Sequence, residues 1–508
     1  MTERKTGVIL SYLSLFLGMA ISFLYTPFML RTLGQDEYGL FSLANATVSY
    51  LTVLDFGFGS AIIKYTAMFR LNQDKRREST LYGMFFVIYL ILSIVAFVVG
   101  SILAANAPAI FAHSLEPGQA QRATSLTMIA AINIAISFPL GIFSSILNGY
   151  ERYTFIKALD LAKTVINPLT MVGVLLLGYG SIGMLCATVA IGLLLNIIRA
   201  VYCFRHLHIR IRFASFDRPL FKEIIVYAAF IFIALVVDQI FWSTDSFILG
   251  IVSDRVSEVA VYTLSNTFVS IFINITSIIG AMYLPHFTRM VETKEPDSAI
   301  SDAFIRVSRL QFFICLFIWG GFMLVGKNFI LFWAGEAYTN TYYVALIIMS
   351  CLVAGITQNV GIAVLQAKNL VRFRACLQLA MAAGNILMTI PFAYFYGAVG
   401  AAWATFIAHF FGIFIGMSIY YQKRAHLNVI GLWKQLGRYI PNYLIIFIVC
   451  ALIAWLLSAL HLPLFANVVC VGAAYSLLYG LITYFFHFNT YEKSLVSHYL
   501  SKLRIRKG

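Results

Sequence analysis

The chain has 508 residues, of which 61% are hydrophobic and 11% are charged, and its mean hydropathy is +0.86. This composition excludes an ordinary soluble protein, because a soluble core cannot bury so much apolar side-chain surface. The formal net charge of +15 leaves nucleic-acid binding open until the positions of the cations are considered.

Apolar runs of about 20 residues recur along the chain, and each can cross a hydrocarbon layer about 30 Å thick. The first run is too long for a signal peptide and has no cleavage site of small residues after it, so we interpret it as an uncleaved span. The pattern predicts an all-α membrane protein with about fourteen transmembrane helices, at residues 7–30, 39–66, 80–105, 122–147, 157–178, 181–203, 223–251, 258–284, 307–330, 342–366, 375–396, 398–421, 439–459 and 464–487.

Most of the 36 Lys and Arg residues fall in loops on one side of the predicted membrane. The loops on the other side hold only Arg31, Arg122, Arg255 and Lys327. The positive-inside rule therefore predicts a multi-pass protein with both termini in the cytoplasm, and the net charge is explained without a nucleic-acid partner.

The sequence contains an internal repeat. "GYGSIGMLCATVA" from Gly178 aligns without gaps with "FYGAVGAAWATFI" from Phe395, and "EYGLFSLANATVS" from Glu37 aligns with "EVAVYTLSNTFVS" from Glu258. Each copy contains an even number of spans, so the pattern predicts two six-helix lobes inserted in the same orientation, which is a typical transporter plan. The expected boundaries are 1–220 and 221–430 for the lobes, with two additional helices and a basic cytoplasmic tail in 431–508.

Three stretches resemble the polysaccharide-repeat flippases of the multidrug, oligosaccharidyl-lipid and polysaccharide exporter superfamily. They are "LRTLGQDEYGLFSLANATVSYLTVLDFGFGSAIIKY" from Leu30 to Tyr65, "LNGYERY" at 147–153 and "GSIGMLCAT" at 180–188. The resemblance implies a protein of the bacterial inner membrane that moves undecaprenyl-diphosphate-linked oligosaccharides by alternating access and works among membrane lipids, with polysaccharide polymerase machinery as an expected partner. In related flippases two extra C-terminal helices are thought to hold the lipid tail, and the last two spans here are expected to do the same. The family has no catalytic motif, and no binding residues are carried over from it.

The seventh span carries two carboxylates. Asp238 and Asp245 are seven positions apart and return to nearly the same face of a helix, with Trp242 on the same side. An ionised side chain at this depth normally faces a cavity or a partner. Two interpretations stay open: buried acids that fix helix packing, or cavity residues that bind a coupling proton, a sodium ion or sugar hydroxyls.

Two kinds of helix interruption are predicted. Asp55 opens "DFGFGS" in an overlong second span, where it caps the second half of a broken helix or contacts a ligand. Five prolines inside predicted spans indicate kinks, namely Pro27, Pro139, Pro168, Pro285 and Pro391.

Other charged residues lie near the ends of spans. Lys64, Lys163 and Arg199 are close to the cytoplasmic surface, and Arg31 is at the outer end of the first span. Snorkelling and an Asp160 to Lys163 ion pair are one interpretation, and contact with the diphosphate or acidic sugars of a substrate is the other.

Three neutral polar residues complete the candidates. Asn45 and Asn266, matched by the repeat, are expected to form hydrogen bonds between the lobes, and His409 is expected to be an interior histidine with satisfied hydrogen bonds.

Other functions fit the sequence less well. A cation-coupled drug or metabolite antiporter of the same superfamily is the main alternative. A membrane enzyme that processes glycans would need a catalytic pair, but the longest outer loop, "NAPAIFAHSLEPGQAQ", offers one histidine and one glutamate. The seven cysteines lack metal-ligand spacing, so we expect no metal site. We also expect no catalytic residues, and no cofactor beyond a coupling ion.

Overall fold

The structure is a computed structural model that describes residues 3–116, 118–213, 217–370, 372–459, 463–489 and 492–493. All regular secondary structure in these residues is helical, which confirms the predicted fold class. The helices are α1 (Glu3–Leu33), α2 (Gln35–Ser49), α3 (Phe58–Leu71), α4 (Lys75–Ile110), α5 (Gln119–Gly149), α6 (Tyr153–Leu176), α7 (Gly180–His206), α8 (Arg218–Val252), α9 (Ser257–Met282), α10 (Leu284–Glu292), α11 (Asp297–Trp333), α12 (Thr339–Thr357), α13 (Val360–Ala367), α14 (Arg372–His409), α15 (Ser418–Lys423), α16 (Val429–Gly437), α17 (Ile440–Ala459) and α18 (Leu464–Ile482).

The helices match the predicted spans closely. Among the described residues, twelve helical segments are long and apolar enough to cross a membrane. One of them, Arg372–Lys423, covers two predicted spans and leaves helical geometry at Gly397, where φ is 56° and ψ is −139°. The helix α8 covers the predicted seventh span. The protein is therefore a multi-pass membrane protein.

Four of the five predicted in-span prolines lie inside helices. The prediction for Pro285 is wrong, because α9 ends at Met282 and Pro285 stands in the first turn of α10. Proline is favoured there, since its missing N–H would have no partner within the helix. Most of the predicted basic tail lies outside the described residues.

The chain forms two compact units. Unit 1 contains Met1–Thr263 and Ile386–Ala401, and unit 2 contains Leu264–Asn385 and Ala402–Gly508. Each has its own core: that of unit 1 includes Ile62, Phe85 and Ile142, and that of unit 2 is built around buried side chains of α11, α13 and α16. The predicted lobe boundaries remain a prediction.

The internal repeat recurs in the backbone. Five pairs of residues with positive φ stand at the repeat spacing, namely Gln73 with Lys294, Gly118 with Gly335, Glu151 with Asn369, Gly180 with Gly397 and His208 with His426. Such residues are uncommon, so their recurrence in one order indicates that the same turns connect the helices twice.

An aromatic stack is repeated as well. The rings of Phe155 and Tyr202 stack at 3.9 Å between centroids in unit 1, and those of Phe373 and Tyr420 stack at 4.2 Å in unit 2. These residues belong to a third match, "TFIKALDLA" from Thr154 with "RFRACLQLA" from Arg372, which the sequence comparison above missed.

Candidate functional site

The second predicted span is broken, as the glycines of "DFGFGS" indicated. A 3-10 turn over Tyr50–Asp55 separates α2 from α3, and Phe56 and Gly57 follow in left-handed conformation with φ of 51° and 75°. A Cβ atom at Gly57 would lie 2.8 Å from Cβ of Ile231 on α8, so this position needs glycine for both conformation and space. The predicted break is confirmed.

Asp55 ties this break to its surroundings. Its Oδ1 accepts a hydrogen bond from the Tyr89 hydroxyl at 2.6 Å, and its Oδ2 accepts one from the Gly59 N–H at 3.4 Å in the first turn of α3. Asp55 therefore contacts the first turn of α3, although Gly57 is the N-cap residue of that helix, and the capping interpretation stays a prediction. A ligand role for Asp55 stays a prediction.

A row of neutral polar side chains joins α8 to the break. Gln239 Nε2 donates to Ser49 Oγ at 2.7 Å and to Ser243 Oγ at 2.6 Å, and its Oε1 lies 3.5 Å from Thr52 Oγ1. Thr52 is exposed and the others are half-buried. The broken helix and α8 thus present amide and hydroxyl groups together, which can hydrogen-bond a hydroxylated ligand.

Asp245 lies one turn further along α8 and is buried, with 4% of its surface exposed. Its carboxylate accepts hydrogen bonds from Tyr262 at 2.5 Å and from Thr389 at 3.0 Å. The adjacent Thr244 accepts one from Tyr50 at 2.8 Å. The Asp245 carboxylate is therefore held by side chains of unit 1 itself.

The two residues predicted to share a helix face with Asp245 differ from it. Trp242 is 43% exposed, and the side chain of Asp238 lies outside the described part of the structure. Tyr262 and Thr389 were not found from the sequence, because neither is charged. Tyr262 lies on the next helix, α9, and Thr389 lies 144 residues from Asp245 on α14.

Two glutamates make the same contact in the two copies of the repeat. Glu37 Oε1 accepts from the Ser181 N–H at 2.8 Å, and Glu258 Oε2 accepts from the Ala398 N–H at 2.7 Å. Each acceptor lies in the first turn of its own helix, and each donor follows a left-handed glycine that begins a helical segment. In each copy of the repeat, the glutamate carboxylate therefore lies at the positive N-terminus of its own helix and at that of a second helical segment.

We expect Glu258→Ala to destabilise the protein by about 1 kcal/mol, because it removes a cap from a helix N-terminus. Thermal unfolding in detergent measures this. The matched control is Glu336→Ala, since Glu336 is exposed at the start of another helical turn and its carboxylate accepts no such bond. Equal melting temperatures for the two variants would contradict the capping role.

The basic candidates lie in separate places. Arg199 donates to Asp160 at 2.9 Å and to Asn196 at 3.0 Å, and Lys157 lies 3.4 Å from the other Asp160 oxygen. The predicted pairing of Asp160 with Lys163 is wrong, because the Asp160 carboxylate is taken by these two cations and Lys163 is exposed.

Two further cations were also predicted. Lys64 is exposed, and its ammonium group lies 4.1 Å from the ring centroid of Tyr227, which is a cation–π contact. Arg31 is exposed in the last turn of α1.

The neutral candidates are less informative. Asn45 is exposed and donates to the Phe41 carbonyl in its own helix at 2.7 Å. Asn266 is half-buried, and His409 is buried. The predicted hydrogen bonds between lobes stay a prediction.

Unit 2 contains an apolar cavity of about 330 Å³ between α11, α12, α17 and α18. The polar groups in its wall already have partners: Trp319 Nε1 donates to Ser350 Oγ at 2.9 Å, and the Tyr475 hydroxyl donates to the Leu316 carbonyl at 3.2 Å. A Cβ atom at Gly320 would lie 2.4 Å from the Tyr475 hydroxyl, so this glycine allows α18 to pack closely on α11. The cavity therefore suits a hydrocarbon chain better than a polar ligand.

The family described as polysaccharide biosynthesis protein matches residues 5–291, which is more than half of the chain. The chain belongs to this family. The comparison with curated protein sequences found no match.

The fold of this chain is similar to the folds of several solved membrane-protein structures. The lipid II flippase MurJ in an inward closed conformation is 15% identical, with a TM-score of 0.71, over 94% of this chain and 98% of that one. An inward-facing multidrug resistance MATE family transporter is also 15% identical, with a TM-score of 0.62, over 82% and 95%. A MOP superfamily transporter from Pyrococcus furiosus is 16% identical, with a TM-score of 0.50, over 84% and 96%. The chain thus has the fold of flippases and transporters of this superfamily.

The "LNGYERY" stretch of this family member has a structural role. The Tyr150 hydroxyl donates to Glu78 Oε1 at 2.6 Å, and the Arg70 guanidinium lies 4.8 Å from the Tyr150 ring centroid. Burial and the Glu78 carboxylate raise the pKa of Tyr150, so the phenol stays protonated and remains a donor. The motif therefore joins the ends of three helices.

No group of three or more His, Cys, Asp or Glu side chains in the described residues could hold a metal ion.

Proposed function

We propose that the protein is a flippase that moves undecaprenyl-diphosphate-linked oligosaccharide repeat units from the cytoplasmic to the outer leaflet of the bacterial inner membrane. Movement occurs by alternating access, with both termini in the cytoplasm. The product feeds a polysaccharide polymerase that assembles a surface polymer.

The observation that carries this proposal is the apolar cavity in unit 2. The wall contributed by α17, which lies outside the sequence repeat, includes Ile440, Leu444 and Phe447. A polyprenyl chain needs an extended apolar surface for binding, whereas a hydrophilic or small amphipathic substrate does not need one. The match to a polysaccharide family and the fold shared with a lipid II flippase support the same substrate class.

The polar residues of unit 1 supply the remaining functions in this proposal. Gln239, Ser243 and Thr52 hydrogen-bond sugar hydroxyls, and Asp245, with Asp238 and Trp242 on the same helix, binds a coupling proton or sodium ion. The cations attract the diphosphate or acidic sugars at the membrane surfaces, namely Arg31, Lys64, Lys163 and Arg199.

A cation-coupled drug or metabolite antiporter is the second candidate, and the fold shared with a multidrug resistance MATE transporter favours it. Deletion of the gene separates the two. For the flippase we expect loss of a surface polymer and accumulation of its undecaprenyl-linked intermediate inside the cell. Unchanged polymer with increased drug sensitivity would instead identify the antiporter.

A pair of variants tests the lipid cavity in the same strain. Leu444→Trp should reduce export at least about tenfold, because Leu444 borders the cavity and the larger indole fills it. Leu452→Trp on the same helix is the control, since both leucines are more than half exposed, at 56% and 55%, and Leu452 is absent from the cavity wall. Equal export by the two variants would contradict a role for the cavity in binding the lipid tail.

A further inference from the structure

A second apolar groove in unit 2 lies away from the cavity described above. It has a volume of about 700 Å³ and runs between the π-helix Phe410–Met417, α15 and α16. One side of the groove is lined by Phe414, Ile415 and Ile419, and the other side is lined by Ile430 and Trp433. This volume falls in the usual range for small-molecule sites.

The sequence positions place this groove at a membrane surface. Lys423 is the last residue of the membrane-crossing segment Arg372–Lys423, and the next such segment begins at Ile440. The helix α16 lies between them, so it connects two spans on one side of the membrane. The groove therefore has one end against hydrocarbon and the other near water.

The helix α16 is amphipathic. Val429, Leu432 and Leu436 are buried in the core of unit 2, whereas Ile430 is 59% exposed and Lys434 is exposed. Exposed apolar residues beside a lysine are typical of a helix that lies in the interface between lipid tails and headgroups. The Trp433 ring packs edge-on against Phe414 at 5.1 Å and fixes this helix against the span.

The charged residues at the groove have one sign. Lys423 and Lys434 both border it, both are exposed, and the described residues of the wall include no acidic side chain. Gln422 Oε1 accepts from the Val429 N–H at 2.9 Å, which fixes its amide at the same end and leaves its NH₂ group as a further donor. The site therefore combines a hydrocarbon surface with cationic groups for an anion.

We propose that this groove binds an anionic glycerophospholipid of the surrounding bilayer, with an acyl chain along Ile419 and Ile430 and the phosphodiester between Lys423 and Lys434. Two separated ammonium groups suit a singly charged phosphodiester. Among the described residues of the wall there is no arginine, whose planar fork would match a diphosphate. The bound lipid is a resident of the groove and is not transported.

Fluorescence quenching tests this with the purified full-length protein in detergent. Phosphatidylglycerol with brominated acyl chains should quench tryptophan fluorescence, and Trp433→Phe should remove the component of the quenching that saturates at low lipid concentration. Other exposed tryptophans, such as Trp455, report non-specific contact with lipid. Phosphatidylcholine with the same chains should bind on the order of 30-fold more weakly, because two lysines each favour an anionic headgroup.

The charge variants complete the test. Lys423→Gln with Lys434→Gln should remove the preference for phosphatidylglycerol. Lys75→Gln with Lys222→Gln makes the same charge change at two exposed lysines away from the groove and should preserve it. Equal binding of the two lipids by the wild type, or equal effects of the two double variants, would overturn the proposal. Tighter, groove-dependent binding of a polyprenyl diphosphate in competition would also overturn it and assign the groove to the transported lipid. None of these binding results changes the phenotype expected for the gene deletion, so the lipid groove and the proposed function are tested separately.

Discussion

Asp245→Asn should lower polymer export to less than about a tenth of the wild-type level while the protein stays folded. Asparagine retains an oxygen that can accept from Tyr262 or Thr389, so most of the packing around α8 is preserved. It cannot carry a negative charge, and coupling to a proton or sodium ion needs one. Export is measured in a deletion strain that expresses the variant, and the melting temperature is measured on purified protein.

Two further variants make this result specific. Asp254→Asn removes an exposed carboxylate just after α8 and should leave export unchanged. Asp245→Ala should lower both export and the melting temperature, because it leaves two buried hydroxyl donors without their acceptor, at a cost of about 1–3 kcal/mol each. Wild-type export by Asp245→Asn would establish the packing interpretation and remove Asp245 from the transport mechanism.

Arg309→Ala should cause the largest loss of stability, about 3–5 kcal/mol. Arg309 Nη2 lies 3.2 Å from Glu492 Oε2, and the two side chains are 12% and 0% exposed. Among the described residues, the other Glu492 oxygen is buried and has no hydrogen-bond partner, so removal of the guanidinium leaves an uncompensated buried charge. The free energy of unfolding in mixed micelles measures the effect.

The double variant shows whether the charge is the cause. Arg309→Ala with Glu492→Ala should be more stable than Arg309→Ala alone, because no unpaired charge remains. Arg438→Ala is the surface control and should change the free energy of unfolding by no more than about 0.5 kcal/mol. A double variant as unstable as Arg309→Ala would show that the ion pair contributes little.

The sequence was sufficient to predict those features that depend on a simple pattern of residue types. Long apolar runs predicted the spans, the glycines around Asp55 predicted the break in the second span, and matched segments predicted the repeat. The glutamate caps were also within reach, since Glu37 and Glu258 begin one match and Gly180 and Gly397 stand in the other. The same glutamate and the same glycine occur in both copies of the repeat, and this signal could have revealed that the glutamate contacts the helix start beside the glycine.

Partners in three dimensions were harder to predict. Asp160 has cations at 157, 163 and 199 within reach of sequence reasoning, and only the helix packing selects Lys157 and Arg199. Thr389 meets Asp245 from a distant part of the chain and Tyr262 from the next helix, and hydroxyl residues are too common to stand out. The two apolar cavities of unit 2 depend on gaps between helices, which leave no pattern in the sequence.

The repeated left-handed turns have a consequence for engineering. At several of these positions the two halves use different residues in the same backbone conformation, such as Gln73 and Lys294, or Glu151 and Asn369. The surrounding packing must therefore maintain the bend, since these side chains have different intrinsic preferences. A library built from reciprocal exchanges between the two halves would show at which of these turns the residues are interchangeable.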